Sequence, residues 1–183
     1  KQSGAHIAKF QMRHLQSLYG DDMGSQDLST EYVVNLLGKV SLSDEDMFRC
    51  FDYCYKKGIT PLCTPFDIPS LESLESYGLE GYKIASADLN NHQLYRAVIN
   101  TNKPIITSTG MSTDEDIDKA LNLLELSHSN FVICHANSTY PAPYVDVHLN
   151  YLHNLKQRTS SVIGYSGHER GWHVPIAAFA IGA

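Results

Sequence analysis

Apolar residues fall along this chain in short runs, rich in Val, Ile and Leu, near 6–10, 59–63, 82–86, 104–108, 131–135 and 161–165. Runs of this length bounded by polar and turn residues read as buried strands. Between most of them the spacing changes to that of a helix. Ser43-Asp-Glu-Asp46 has the form of a capping box, and Gly58 supplies a stop. Pro69 starts a second helix through Leu71, Leu74 and Glu75 that ends near Gly78. Residues 90–100 put Leu94, Ala97 and Val98 on one face, and Ser112-Thr-Asp-Glu115 caps a helix with Ile117, Ala120, Leu121 and Leu124 in phase. The segment 12–42 shows no such regularity; a long loop with one short helix near 29–37 is expected there.

Strands alternating with helices require crossover connections and a parallel sheet. An open doubly wound sheet gathers its chemistry at one switch point, and no G-x-G-x-x-G follows the first strand. Here polar residues stand just past nearly every apolar run: Lys9 and Gln11, Thr64, Ser86 and Asp88, Ser108, His135, Ser166 and His168. Many strand ends supplying one site is the habit of the (β/α)8 TIM barrel. Six strands fall short of eight, so the expectation is an incomplete α/β barrel holding about strands 2–7. One strand is expected before Lys1 and one after Ala183, where the chain stops inside an apolar helical stretch at 174–183. An unclosed barrel would expose two sheet edges.

The bulk numbers narrow the partners. The 183 residues suggest one domain, and 43% hydrophobic content supports a core. A formal net charge of −6 disfavours nucleic acid as a partner but leaves room for a small anion held by local lysines. The stretch 174–183 is too short to span a bilayer, and the opening Lys-Gln-Ser-Gly carries no signal-peptide pattern. A cytoplasmic protein without membrane partners is expected. Cys50, Cys54, Cys63 and Cys134 have neither disulfide-framework nor zinc-pair spacing. Cys50 and Cys54 sit at i, i+4 on a helix, a spacing open to a soft metal, yet packing suffices to explain them. The Asn137-Ser-Thr139 sequon has no secretory context and is read as coincidence.

Lys9 and Gln11 share strand parity and so one face. Lys83 sits inside an apolar strand, where a lysine meets an anion, loses its proton or snorkels to the surface. Alternation sends Lys83 and Ser86 to opposite faces, so a bulge or the strand end must intervene if both serve one site. Thr64, Ser86, Ser108 and Ser166 are four hydroxyls at four strand ends. Singly each suits a cap or turn; together with two lysines they suit an oxyanion or phosphate cradle. Gly110 and Gly164 permit close backbone approach. His168 suits a metal or acid–base role, His135 a core position, and Asp88 is the carboxylate best placed for chemistry.

These motifs resemble the sialic acid synthase (N-acetylneuraminate synthase) family. The matching stretches are Ala-Lys-Phe-Gln at 8–11, Cys-Thr-Pro-Phe at 63–66, Tyr-Lys-Ile-Ala-Ser-Ala-Asp at 82–88 and Lys-Pro-Ile-Ile-Thr-Ser-Thr-Gly-Met at 103–111. Ser-Thr-Tyr-Pro-Ala-Pro-Tyr at 138–144 and Ile-Gly-Tyr-Ser-Gly-His at 163–168 complete the ordered set. The resemblance implies a barrel enzyme condensing phosphoenolpyruvate with an N-acetylated amino sugar, typically N-acetylmannosamine. The enol carbon attacks the open-chain aldehyde, water adds to the former enol-ether carbon, and phosphate leaves by C–O cleavage. It implies a divalent metal, commonly Mn2+, as Lewis acid. By the same resemblance Lys9, Thr64, Lys83, Ser86, Ser108, Ser138 and Ser166 hold phosphoenolpyruvate. Gln11, Asp88 and Tyr140 face the sugar, His168 is one metal ligand, and Asp88, Lys9 and His168 take part in catalysis.

The chain departs from the family pattern in lacking the first-strand Glu-Ile-Gly motif, the final-strand Glu-Lys-His segment with the second metal histidine, and the C-terminal antifreeze-like domain of the homodimeric members. Asp88 stands where the family often has Glu, which bears on the sugar's identity. The 183 residues alone are therefore expected to be inactive. Two other readings of the residues remain: a Schiff-base aldolase using Lys83 as nucleophile, and a non-catalytic sugar-binding barrel.

Overall fold

A computed structural model describes residues 1–20, 28–127 and 129–183, with the side chains of 28–33 outside that description. The chain divides into two compact units, Lys1–Tyr82 and Lys83–Ala183. The first holds β1 (Ile7–Met12), α1 (Leu15–Tyr19), α2 (Leu28–Val40), α3 (Asp44–Lys56), β2 (Thr60–Pro65) and α4 (Ile68–Tyr77), and β3 (Tyr82–Ile84) begins at its end. β1 and β2 are parallel and in register from Ile7↔Thr60 to Met12↔Pro65. β2 meets β3 in the same sense at Cys63↔Tyr82.

Local chemistry explains where these helices begin. Ser43 Oγ accepts the Asp46 N–H at the start of α3, and three acids fill that first turn, where the helix dipole favours them. Asp67 caps α4 by accepting the Ser70 N–H at 2.7 Å, with Pro69 in the first turn. Gly78 ends α4 at φ +86°, a left-handed conformation that a side chain would oppose. Phe10 meets Phe51 of α3 edge-to-face at 5.3 Å, so Phe10 faces the helices and Lys9 and Gln11, of opposite parity, face away from them. Phe51, Cys63, Leu71 and Leu74 are buried beneath.

Segment 12–42 corrects the expectation of a loop with one short helix. It contains α1, and α2 runs on to Val40. Five residues without a capping side chain leave no periodic trace for α1. Gly38, which reads as a breaker, stays within α2 and meets Leu15 of α1.

The second unit holds a 3-10 turn at Ser86–Asp88, α5 (His92–Ile99), β4 (Ile105–Ser108), α6 (Asp114–Leu126), β5 (Phe131–Ala136), a 3-10 turn at Tyr144–Asp146, α7 (Tyr151–Arg158), β6 (Val162–Ser166) and α8 (His173–Ala180). β4, β5 and β6 are parallel in chain order, with Ser108↔Cys134 and Ala136↔Ser166 in register. Thr113 caps α6 reciprocally with Asp116, a full capping box.

Side-chain partners fix the faces. Tyr95 of α5 donates to Thr107 Oγ1 at 2.7 Å, and the His135 ring lies 5.5 Å from that of Tyr151 on α7. Thr107 and His135 therefore face the helices, while Ser108, Cys134, Ala136 and Ser166 share the opposite face. His135 is the core histidine its apolar strand predicts: buried, with Nε2 donating to the Val147 carbonyl at 2.6 Å. Burial depresses its pKa, against the opposing pull of the Val147 hydrogen bond. Among the described residues no helix is long and apolar enough to cross a membrane. All four cysteines are free, and only Cys50 is not fully buried.

Candidate functional site

In the first unit, Lys9 and Gln11 stand on one face of β1, in register with Leu62 and Thr64 of β2. Both side chains have exposed area. Packing around the Lys9 amine still removes enough water to lower its pKa, against an opposing pull from Cys63. Burial pushes the Cys63 thiol up to about 12, with Lys9 acting the other way. Thr64 is fully buried, and its Oγ1 has no hydrogen-bond partner among the described residues. Beyond the strand, Arg13 Nη2 donates to Gln11 Oε1 at 2.9 Å and its guanidinium lies 4.1 Å above the Phe66 ring. Neither Arg13 nor Phe66 was marked by the sequence for this role; parity along β1 was the available signal.

In the second unit two of the hydroxyls, those of Ser86 and Ser138, meet at Gly110. Its N–H donates to Ser86 Oγ at 3.1 Å. A Cβ there would collide with Ser138 Oγ and lie 3.0 Å from Ser86 Oγ and 3.3 Å from the Ala136 carbonyl. The Oγ atoms of Ser108 and Ser138 are buried with no partner among the described residues. An unmatched buried hydroxyl costs on the order of 1–3 kcal/mol, so its retention points to a ligand that completes it. Ser166 is next along, in register with Ala136. Met111, at the exposed end of this turn, adopts φ +63°, unusual for a residue with a side chain.

Strand alternation does not run from Lys83 to Ser86: β3 stops at Ile84, Ala85 is extended, and Ser86 opens a 3-10 turn. Lys83 is half-buried between the buried Tyr82 and Ile84, with Nζ donating to the Ile84 carbonyl at 3.4 Å. Its charge opposes the burial that raises the Cys134 thiol to about 11. A Cβ on Gly164 would lie 2.7 Å from Cys134 Sγ, so the glycine makes room for that thiol. Asp88 closes the 3-10 turn, and its Oδ1 accepts from Asn91 Nδ2 at 3.3 Å.

His168 is held through both ring nitrogens. A carbonyl can only accept, so the 2.6 Å contact to the Asn137 oxygen puts the proton on Nδ1. Nε2 then carries the lone pair and accepts from Tyr140 O–H at 2.7 Å, with the two rings stacked 3.8 Å apart. Burial raises the Tyr140 phenol pKa. An imidazole with its far N–H on a backbone carbonyl and a directed Nε2 lone pair fits a metal ligand. Among the described residues no cluster of three or more His, Cys, Asp or Glu is placed to hold a metal. Glu169 accepts from Tyr165 O–H at 2.7 Å and packs on Gly167, whose missing side chain admits it. This support beside His168 escaped the sequence reading, although Gly-His-Glu adjacency is its signature. A shallow cleft of about 800 Å3 lined by Glu125, Phe131 and 156–161 lies at the opposite ends of β5 and β6 and holds none of the predicted residues.

The structure thus brings Ser86 and Ser138 against Gly110, leaves Ser108 buried at the end of β4, and pairs Tyr140 with His168. In the other unit it places Lys9 and Gln11 on one face of β1, with Thr64 of β2 in register with Gln11. Within each unit, lysine and hydroxyl groups of this kind are donors suited to an oxyanion.

Comparison with known proteins places the chain among relatives of similar sequence and fold. An N,N'-diacetyllegionaminic acid synthase of Campylobacter jejuni is 38% identical over 131 residues, covering 70% of this chain and 39% of that protein. The Legionella pneumophila N,N'-diacetyllegionaminic acid synthase is 30% identical over 196 residues, covering all of this chain and 54% of its own. A solved N-acetylneuraminic acid synthetase from Leptospira borgpetersenii superposes with a TM-score of 0.90 at 30% identity, over 100% of this chain and 61% of that one. At 16% identity and a TM-score of 0.66, a truncated 3-deoxy-D-arabino-heptulosonate 7-phosphate synthase from Thermotoga maritima, matched over 97% of this chain and 72% of its own, shares the fold alone. The fold class is the β/α barrel, and the chain spans about half the length of the curated relatives it matches end to end. The NeuB family profile matches residues 1–183, and the chain belongs to the NeuB family.

Proposed function

We propose that this chain carries synthase chemistry in which phosphoenolpyruvate condenses with an N-acylated amino sugar of the N-acetylmannosamine type and water, giving a nonulosonic acid and phosphate. The observation that carries the reading is that the buried hydroxyls of Ser108 and Ser138, the latter against Gly110, have no partner among the described residues, and that in the first unit Thr64 on β2 is likewise unmatched. An isolated structural serine satisfies itself locally; hydroxyls left open around a side-chain-free backbone suit phosphate oxygens. The family resemblance adds Lys9, Lys83, Ser86 and Ser166 to the same substrate, and Gln11, Asp88 and Tyr140 to the sugar.

The carbon–carbon bond forms from the enol carbon to the aldehyde carbon, water supplies the new oxygen at the former enol-ether carbon, and the C–O bond to phosphate breaks. The lysine charges offset the negative charge of substrate and departing phosphate. His168 keeps Nδ1 protonated against Asn137 and presents Nε2. A divalent cation such as Mn2+, held in part by His168, supplies Lewis-acid polarisation of the aldehyde oxygen when bound. The resemblance also supports a homodimer at the length of the relatives.

The test is phosphate release by the full-length protein from phosphoenolpyruvate, N-acetylmannosamine and Mn2+. Sugar-dependent release is expected, with the KM for phosphoenolpyruvate raised about tenfold by Ser108→Ala or Ser138→Ala. Borohydride trapping of a pyruvate imine on Lys83 would instead establish the aldolase and sink this reading.

A further inference from the structure

We propose that Arg13 is a positioning residue that turns Gln11 into a pure hydrogen-bond donor, and thereby makes the protein select N-acylated sugars over free amino sugars. The proposal rests on the synthase reading above. A glutamine amide is ambivalent, because either its oxygen or its NH2 can face a ligand. A guanidinium has donors only, so the Gln11 atom 2.9 Å from Arg13 Nη2 is Oε1, and the two Nε2 hydrogens, without an acceptor among the described residues, face outward to a ligand.

Arg13 is itself held. Its guanidinium lies 4.1 Å from the centroid of Phe66, a cation–π contact. Phe66 N–H donates to the Met12 carbonyl at 3.1 Å, which ties this ring to the end of β1. One residue further, Asp67 accepts the His14 N–H at 2.8 Å and the Ser70 N–H at 2.7 Å, locking the exit of β1 to the start of α4. The order of support runs from the locked backbone to Phe66, then Arg13, then Gln11.

The consequence is chemical selection. An acyl carbonyl oxygen accepts from Gln11 Nε2–H. The ammonium of an unacylated amino sugar has donors only, and meets both N–H groups and the nearby Arg13 charge. Specificity arises from this repulsion as much as from the new hydrogen bond.

The test uses the full-length protein and its Arg13→Ala, Arg13→Lys, Gln11→Ala and double variants, with glutamine side chains labelled with 15N. In wild type the Gln11 amide pair is expected to be ordered and to shift with N-acetylmannosamine but not with mannosamine; in Arg13→Ala it averages. In turnover, Arg13→Ala is expected to raise the KM for N-acetylmannosamine about tenfold with kcat and the KM for phosphoenolpyruvate unchanged. Arg13→Lys keeps the charge without the planar fork and recovers part of the loss. In a Gln11→Ala background, Arg13→Ala should add nothing. An amide pair equally ordered without Arg13, or an Arg13→Ala cost that persists without Gln11, overturns the proposal. Absence of phosphate release with any sugar would remove the synthase reading, while the amide spectra would still decide the link between Arg13 and Gln11.

Discussion

Ser138 and Gly110 are neighbours whose substitutions should act in opposite ways. Ser138 Oγ is buried with no partner among the described residues, so Ser138→Ala removes a desolvated group without breaking a bond. Stability should hold or rise by up to about 1 kcal/mol while phosphoenolpyruvate binding weakens. Urea unfolding beside a phosphoenolpyruvate titration checks this, and a clear loss of stability would mean that the hydroxyl has a partner. Gly110→Ala adds a methyl group where Ser138 Oγ already stands. Overpacking of this kind costs about 1–3 kcal/mol, so both stability and binding should fall. His135 gives a pH signature. Its folded pKa lies below the ordinary 6.5 because burial disfavours the charged ring. The unfolded chain therefore binds the proton first, and stability should fall as pH drops below 6.5, levelling off once the folded pKa is passed. His135→Gln, which keeps a donor for Val147, should flatten that dependence in urea midpoints measured from neutral pH to about pH 5. At this scale the strand-end hydroxyls and His135 were legible, because position in an apolar run fixes exposure. The stacking of Tyr140 on His168 and the hold of Arg13 on Gln11 were not, since each joins residues whose geometry depends on loop conformation.

The helices depend on their first turns. Asp67 satisfies two backbone donors while almost fully buried, one in α4 and one at the exit of β1. Asp67→Ala should therefore exceed the usual cap loss of about 1 kcal/mol, because the His14 N–H also loses its acceptor. Thr113→Ala on the exposed start of α6 should cost about 1 kcal/mol alone. Thermal melts of both variants rank the two, and equal losses would contradict the double role of Asp67. Strands and capped helices were readable because period and punctuation coincide, as in Ser43 with Asp46 and Pro69 with Gly78; for α6 the expected Ser112–Glu115 cap lies one residue early, and the structure uses Thr113 with Asp116. α1 is too short to show a period, and α7 buries little beyond Leu152 and Leu155 among polar neighbours.

For the molecule as a whole, the order of strands and the ordered motifs together identified a barrel and a family, because each motif sits where a strand hands over to a loop. A chain at the length of the relatives should release phosphate, and the 183 residues by themselves should not; equal turnover by both would overturn that expectation. The cysteines carry a practical consequence. Cys54, Cys63 and Cys134 are buried and burial raises the pKa of each thiol, whereas Cys50 on α3 is partly open. Thiolate supply and access both govern alkylation, so within these 183 residues a maleimide dye should attach once in the folded state and four times after unfolding. That single natural handle on α3 would let fluorescence follow the first unit alone, without any engineered cysteine.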